Sequence, residues 1–90
     1  MTLEIKIVST YKRDIKKISR QGKNLEELST VIEKLIEEIE LPQKYKDHQL
    51  TGNWNRRREC HIRSDWLLIY KIENGILYLE RTGSHSELFG

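Results

Sequence analysis

The sequence of 90 residues holds little of several residue types: one cysteine, one proline, one methionine and one phenylalanine. Cys60, being alone, cannot form an internal disulfide, which fits a reducing cytoplasm. No apolar run approaches the roughly 20 residues of a membrane helix, and the N-terminal stretch has no signal-peptide character. A soluble, cytoplasmic protein is expected. Repeats, linkers and low-complexity tracts are absent too, so the length predicts a single domain over residues 1–90. A chain this short buries only about 60% of its unfolded surface, which favours a shallow surface site over a deep pocket. Metal motifs are missing: there is no Cys-x-x-Cys pair and no His-x-x-x-His spacing. Cys60 and His61 are strand neighbours that point to opposite faces, so they cannot readily grip one ion. With no glycine-rich phosphate loop either, neither a metal nor a cofactor is expected.

Charge is present in quantity but nearly balanced, at +2. Its distribution is not balanced. Residues 12–23 set Lys12, Arg13, Lys16, Lys17, Arg20 and Lys23 against Asp14 alone. Residues 24–40 set Glu26, Glu27, Glu33, Glu37, Glu38 and Glu40 against Lys34. Such adjacent blocks either pair with each other or form solvated faces. A sharper reading makes the basic block, with Lys16 and Arg20, a footprint for RNA phosphates.

Leu3, Ile5 and Ile7 alternate with Glu4 and Lys6, the pattern of a strand with one buried face. Ser9 or Thr10 can cap a following helix that carries Tyr11, Ile15 and Ile18 inward and ends at Gly22. Asn24 reads as the next cap, with Glu27 as its capping-box partner. Leu25, Leu28, Val31, Ile32, Leu35, Ile36 and Ile39 then form one apolar stripe at helical spacing. Pro42 is expected to stop that helix. Residues 43–55 read as a loop anchored by Tyr45, Leu50 and Trp54. Cys60 and Ile62 mark a strand with Glu59, His61 and Arg63 on its polar face. Ser64-Asp65 reads as a turn, Trp66 to Ile72 as a central buried strand, Asn74-Gly75 as a hairpin turn and Ile76 to Thr82 as its partner. Gly83 ends that strand before a short tail or helical turn, expected to be mobile. The predicted order is β-α-α-β-β-β, an α+β fold with an antiparallel-rich four-stranded sheet and two N-terminal helices packed on it.

All three histidines, His48, His61 and His85, lie in the second half, near Asp65, Arg81 and the run Arg56-Arg57-Arg58. Imidazole accepts and donates protons near neutral pH, and guanidinium matches phosphate oxygens with a planar fork. That combination suits chemistry on a phosphodiester.

The residues Lys46-Asp47-His48-Gln49-Leu50 with Gly52 and Trp54, Arg58-Glu59-Cys60-His61-Ile62, Asp65-Trp66-Leu67-Leu68-Ile69-Tyr70 and Leu79-Glu80-Arg81-Thr82-Gly83-Ser84-His85-Ser86-Glu87-Leu88-Phe89 closely resemble the YafQ branch of the RelE toxin superfamily. The match is specific over residues 42–89. It implies the toxin of a type II toxin–antitoxin pair, a ribosome-dependent endoribonuclease acting on messenger RNA. It also implies a second polypeptide, the cognate antitoxin, that holds the enzyme silent. Family positions fall on His48, His61, Asp65, Trp66, Arg81, His85 and Phe89. With the RNA 2′-hydroxyl as nucleophile, His85 is expected as general acid and His48 or His61 as base. Asp65 would orient an imidazole, Arg81 would stabilise the phosphorane, and Trp66 and Phe89 would stack a base. Gyrase-poisoning branches lack this histidine set. The alternative is a non-catalytic RNA- or partner-binding module, which needs no histidines.

Overall fold

The computed structural model describes residues 2–90. Five strands form one sheet in the order β1-β5-β4-β3-β2, with β1 (Glu4–Ile7), β2 (His48–Gln49), β3 (Arg58–Arg63), β4 (Trp66–Glu73) and β5 (Ile76–Gly83). All neighbours are antiparallel except β1 and β5. The α+β class and the expected helices hold; the strand count does not. The added strand, β2, lies within the stretch read as loop. Two residues are too few to show a period, so no sequence pattern announces it.

Helices α1 (Ser9–Arg20) and α2 (Leu25–Ile36) cover one face of the sheet. Tyr11, Ile18, Leu28, Val31 and Leu35 meet Cys60, Ile62, Trp66, Leu68, Tyr70, Leu77 and Leu79 there. Gly22 takes the left-handed conformation after α1 (φ 75°), and the Lys23 amide returns to the Ile18 carbonyl, a Schellman closure. Asn24 caps α2 by accepting the Glu26 amide, but Glu27 is not its reciprocal partner and pairs with Arg63 instead. Pro42 does not stop α2. The helix ends earlier, where Glu38 turns left-handed (φ 58°) and the Ile39 amide returns to the Lys34 carbonyl. No ion pair among the described residues joins α1 to α2, so the two charge blocks do not neutralise each other.

The N-terminal strand departs further from its pattern. Ile5 and Ile7 are 45% and 44% exposed, because β1 is an edge strand lying largely beyond the helices. β1 pairs with β5 only as far as Leu79, and α1 takes over the edge from there. The Thr10 hydroxyl donates to the Glu80 carbonyl at 2.8 Å, and Asp14 accepts the Thr82 amide at 3.1 Å. Helix side chains thus satisfy backbone groups that a further strand residue would have paired. Thr10 is committed to this edge rather than to a cap; Val8 holds the N-cap position with no side-chain bond.

Candidate active site

The opposite face of the sheet carries the polar chemistry. Cross-strand pairing places His48 opposite Glu59, Glu59 opposite Ile69, and Ile69 opposite Arg81, one row running over β2, β3, β4 and β5. The next row sets His61 opposite Leu67 and Leu67 opposite Gly83. Over Leu67 and Ile69 sits a short helix, α3 (His85–Phe89), whose Leu88 packs on both, with Leu50 and Trp54 closing the cluster.

His48 and His61 come together through a residue that the sequence reading had left as strand surface. Glu59 is 3% exposed, and its Oε1 lies 3.5 Å from His48 Nε2 and 3.3 Å from His61 Nε2. The two ring centroids are 6.3 Å apart. Burying a carboxylate is costly unless charge or hydrogen bonding compensates, and a hydrogen on His61 Nε2, 3.3 Å away, supplies that compensation. His48 Nδ1 lies 2.7 Å from the Lys46 carbonyl. A carbonyl only accepts, so Nδ1 carries the hydrogen and Nε2 is the nitrogen left to take a proton. Period-two alternation does put Glu59 and His61 on one face; what it cannot supply is His48 on the adjoining strand.

His85 opens α3, with its ring exposed and 5.0 Å from that of Phe89. Phe89 in turn meets Trp54 edge-on at 5.8 Å. The end of the chain, expected to be mobile, is tied down. Ser84 and Glu87 form a reciprocal capping box, Asp65 accepts the His85 amide at 3.1 Å, Lys17 pairs with Glu87 at 2.7 Å, and Leu88 is buried. Asp65 therefore holds the main chain at His85 rather than an imidazole ring. Gly83, at φ 155°, leaves room for this closure, since a Cβ there would come within 3.0 Å of Glu87 Oε1 and push it aside.

Lys17 and the Ser84 amide hold the Glu87 carboxyl at about 2, well below its ordinary 4.5. A depressed carboxyl stabilises the fold above its unfolded value, and that contribution fades as pH falls from 4.5 towards 2. Acidification through that window should loosen α3 before the sheet. The check is faster exchange of the His85 amide and a shift of the Leu88 methyl resonances, both absent in Glu87→Gln.

The remaining expected residues divide. Trp66 is 2% exposed and donates Nε1 to the Thr82 hydroxyl at 2.9 Å, so it is a core residue and offers no open face to a base. Arg57 is paired with Glu80 at 2.6 Å and Arg58 with Asp47 at 3.1 Å, leaving Arg56 as the member of the triple run with no ion pair among the described residues. Lys16 and Arg20 are exposed on α1. Arg81 shares the histidine row but is not brought to the rings: α3 packs on Ile69 between them, and Asp14 takes Arg81 Nε at 2.7 Å and Nη2 at 3.2 Å. That hydrogen bonding raises the guanidinium above its ordinary value, and the Glu87 charge adds to it. Cys60 is fully buried, and burial first of all pushes its thiol far up, which removes it as a nucleophile.

Such a sheet, with two helices on one face and histidines on the other, defines a small α+β domain with a polar surface site. The chain is similar over 100% of both lengths to one in the crystal structure of the E. coli DinJ–YafQ toxin–antitoxin complex, with 37% identity and a TM-score of 0.92. It is 42% identical to a metal-bound toxin from Helicobacter pylori, covering 97% of this chain and 99% of that one, with a TM-score of 0.91. The mRNA interferase toxin YafQ of E. coli K12 is 39% identical over 88 residues, 97% of this chain and 96% of that protein. A family model for the bacterial toxin of the type II toxin–antitoxin system, YafQ, matches residues 3–90, and the chain belongs to that family.

Proposed function

We propose that this toxin cuts messenger RNA on the ribosome by turning the 2′-hydroxyl next to the scissile phosphate into the nucleophile. The observation that carries this reading is the pair His48 and His61 around the buried Glu59, on an exposed sheet face that also bears His85. His48 Nε2 takes the 2′-hydroxyl proton, and Glu59 balances the imidazolium that results. The 2′-oxygen attacks phosphorus, and His85 gives its proton to the departing 5′-oxygen. Arg81, with Nη1 not engaged by Asp14, supplies positive charge from the far side of β4. Phe89 offers an exposed ring for a base. Trp66 contributes by holding the sheet.

A metal ion is bound in the Helicobacter toxin. The steps proposed here use only the chain's own side chains, and none runs through a metal. The predicted products are a 2′,3′-cyclic phosphate and a 5′-hydroxyl, formed by toxin freed of metal with EDTA before it is added to ribosomes in magnesium buffer. End-group analysis of ribosome-bound messenger decides it: a 5′-phosphate, or a requirement for a divalent ion on the protein, rules the mechanism out. Folded protein that neither cuts nor arrests growth would favour the non-catalytic binding module.

Lys12, Lys16 and Arg20 fall four apart on α1, all exposed, whereas Lys17 is committed to Glu87. Lys16→Ala and Arg20→Ala should each weaken ribosome association and lower the slope of log affinity against log salt by about 1. Unchanged affinity and slope would move the footprint elsewhere.

An antitoxin partner, as DinJ is for YafQ in the E. coli complex, has two routes to silence this enzyme. Displacing α3 must break the Lys17–Glu87 pair and expose Leu88. Covering His85 or Arg81 breaks nothing, and we take it as the route used. Hydrogen exchange in the complex tests this: protection over residues 81–89 supports covering, and faster exchange of α3 supports displacement.

A further inference from the structure

Next to His48 stands a residue with no assigned role. Asp47 points to the helix-covered face, opposite to His48, and meets two side chains there. Its Oδ1 accepts the Tyr70 hydroxyl at 2.5 Å, and its Oδ2 accepts Arg58 Nη2 at 3.1 Å. Tyr70 is one of the largest fully buried side chains, so Asp47 is fastened to the centre of the sheet. Asp47 hydrogen bonding raises the Arg58 guanidinium, and burial followed by the bond to Asp47 pushes the Tyr70 phenol above its ordinary range.

The strand that carries His48 has little else to hold it. β2 is two residues long at the sheet edge, and its bridges are His48 with Glu59 and Gln49 with Arg58. Just before it, Lys46 is left-handed at φ 48°, a conformation uncommon for residues other than glycine, and its carbonyl meets His48 Nδ1. One residue of slip in β2 would turn His48 away from Glu59 altogether.

We propose that Asp47 is the positioning residue for His48: gripped by Tyr70 and Arg58, it fixes the register of β2 and so the placement of His48 Nε2 against Glu59. The triple-arginine run thereby loses Arg58 to an internal task. This inference rests on the reading of His48 as base, and misplacing a reacting group by about 1 Å costs on the order of 100-fold in rate.

The test is a double-mutant cycle of Asp47→Asn with His48→Ala, read as the single-turnover cleavage rate at saturating ribosome and, separately, as ribosome affinity. Tyr70→Phe serves as a second variant that keeps the packed volume. Expected are a loss of about 10-fold or more in rate for Asp47→Asn, a smaller loss for Tyr70→Phe, unchanged affinity for both, and no further loss when Asp47→Asn is added to His48→Ala. The His48 ring resonances should shift in Asp47→Asn. A purely structural Asp47 would instead lower the melting temperature and give additive effects in the cycle, which overturns the proposal. Wild-type rate in Asp47→Asn, with His48→Ala impaired, overturns it alone. Wild-type rate in His48→Ala overturns it together with the mechanism it rests on.

Discussion

Replacing His85 by alanine should lower the cleavage rate by about 100-fold or more while leaving the fold intact. The structure makes this substitution clean. The imidazole is exposed, and what ties residue 85 down is its main-chain amide, bonded to Asp65 at 3.1 Å. The capping box next to it uses only Ser84 and Glu87. Alanine keeps all of these and favours a helix. A loss of rate with unchanged circular dichroism therefore reports chemistry and not unfolding. The role can be sharpened further. A substrate whose 5′-oxygen is replaced by sulfur leaves without needing a proton, so His85→Ala should cut it almost as fast as the wild type does. Equal impairment on both substrates would take the general-acid role from His85, and full activity on the natural one would remove it from the mechanism.

The largest effect on stability is expected at Trp66. The indole lies between the two helices and the sheet, and its Nε1 donates to Thr82, whose hydroxyl donates onward to the Leu67 carbonyl at 2.8 Å. Trp66→Ala leaves a cavity and should cost about 3–5 kcal/mol, enough to unfold much of a marginal domain. Trp66→Phe keeps most of the volume and should cost less, with cleavage recovered below its melting temperature. A stacking residue would behave in the opposite way, losing RNA affinity with the melting curve unmoved. Thermal unfolding measured beside ribosome affinity separates the two.

The contrast between His85 and Trp66 shows what the sequence could and could not convey. The Asn74-Gly75 turn, the stripe of α2 from Leu28 to Ile36 and the run of β4 from Trp66 to Tyr70 are local patterns that survive in the structure, whereas Ile39 lies beyond the helix and Ile72 is exposed. The resemblance over residues 42–89 pointed to the family to which the chain belongs. Roles were harder to read, because a role depends on which side chain meets which. Asp65 and Arg81 were read toward imidazole and phosphate; Asp65 meets the main chain at residue 85, and Arg81 meets Asp14, 67 residues away. An extra residue in β5 shifts its register against β4 between Ile69 and Tyr70, and Glu80 and Arg81 emerge at that shift. No alternation in the sequence records it. Glu59 was missed for a related reason: its partners sit on its own strand and on one too short to show a pattern.

Helix α1 meets the edge of β5 through Thr10 and Glu80, 70 positions apart in the chain, and β1 pairs with the same strand. During synthesis the sheet-edge contacts of the first strand and helix therefore wait until β5 has been made. Contacts of such long separation form late and slowly. His48 and His61 are translated well before that, on a nascent chain whose sheet is still open at one side. The anchorage of His85 comes last, since Lys17 must already be in place beside β5 to receive Glu87. The site is thus complete only once the last residues of the chain are in place.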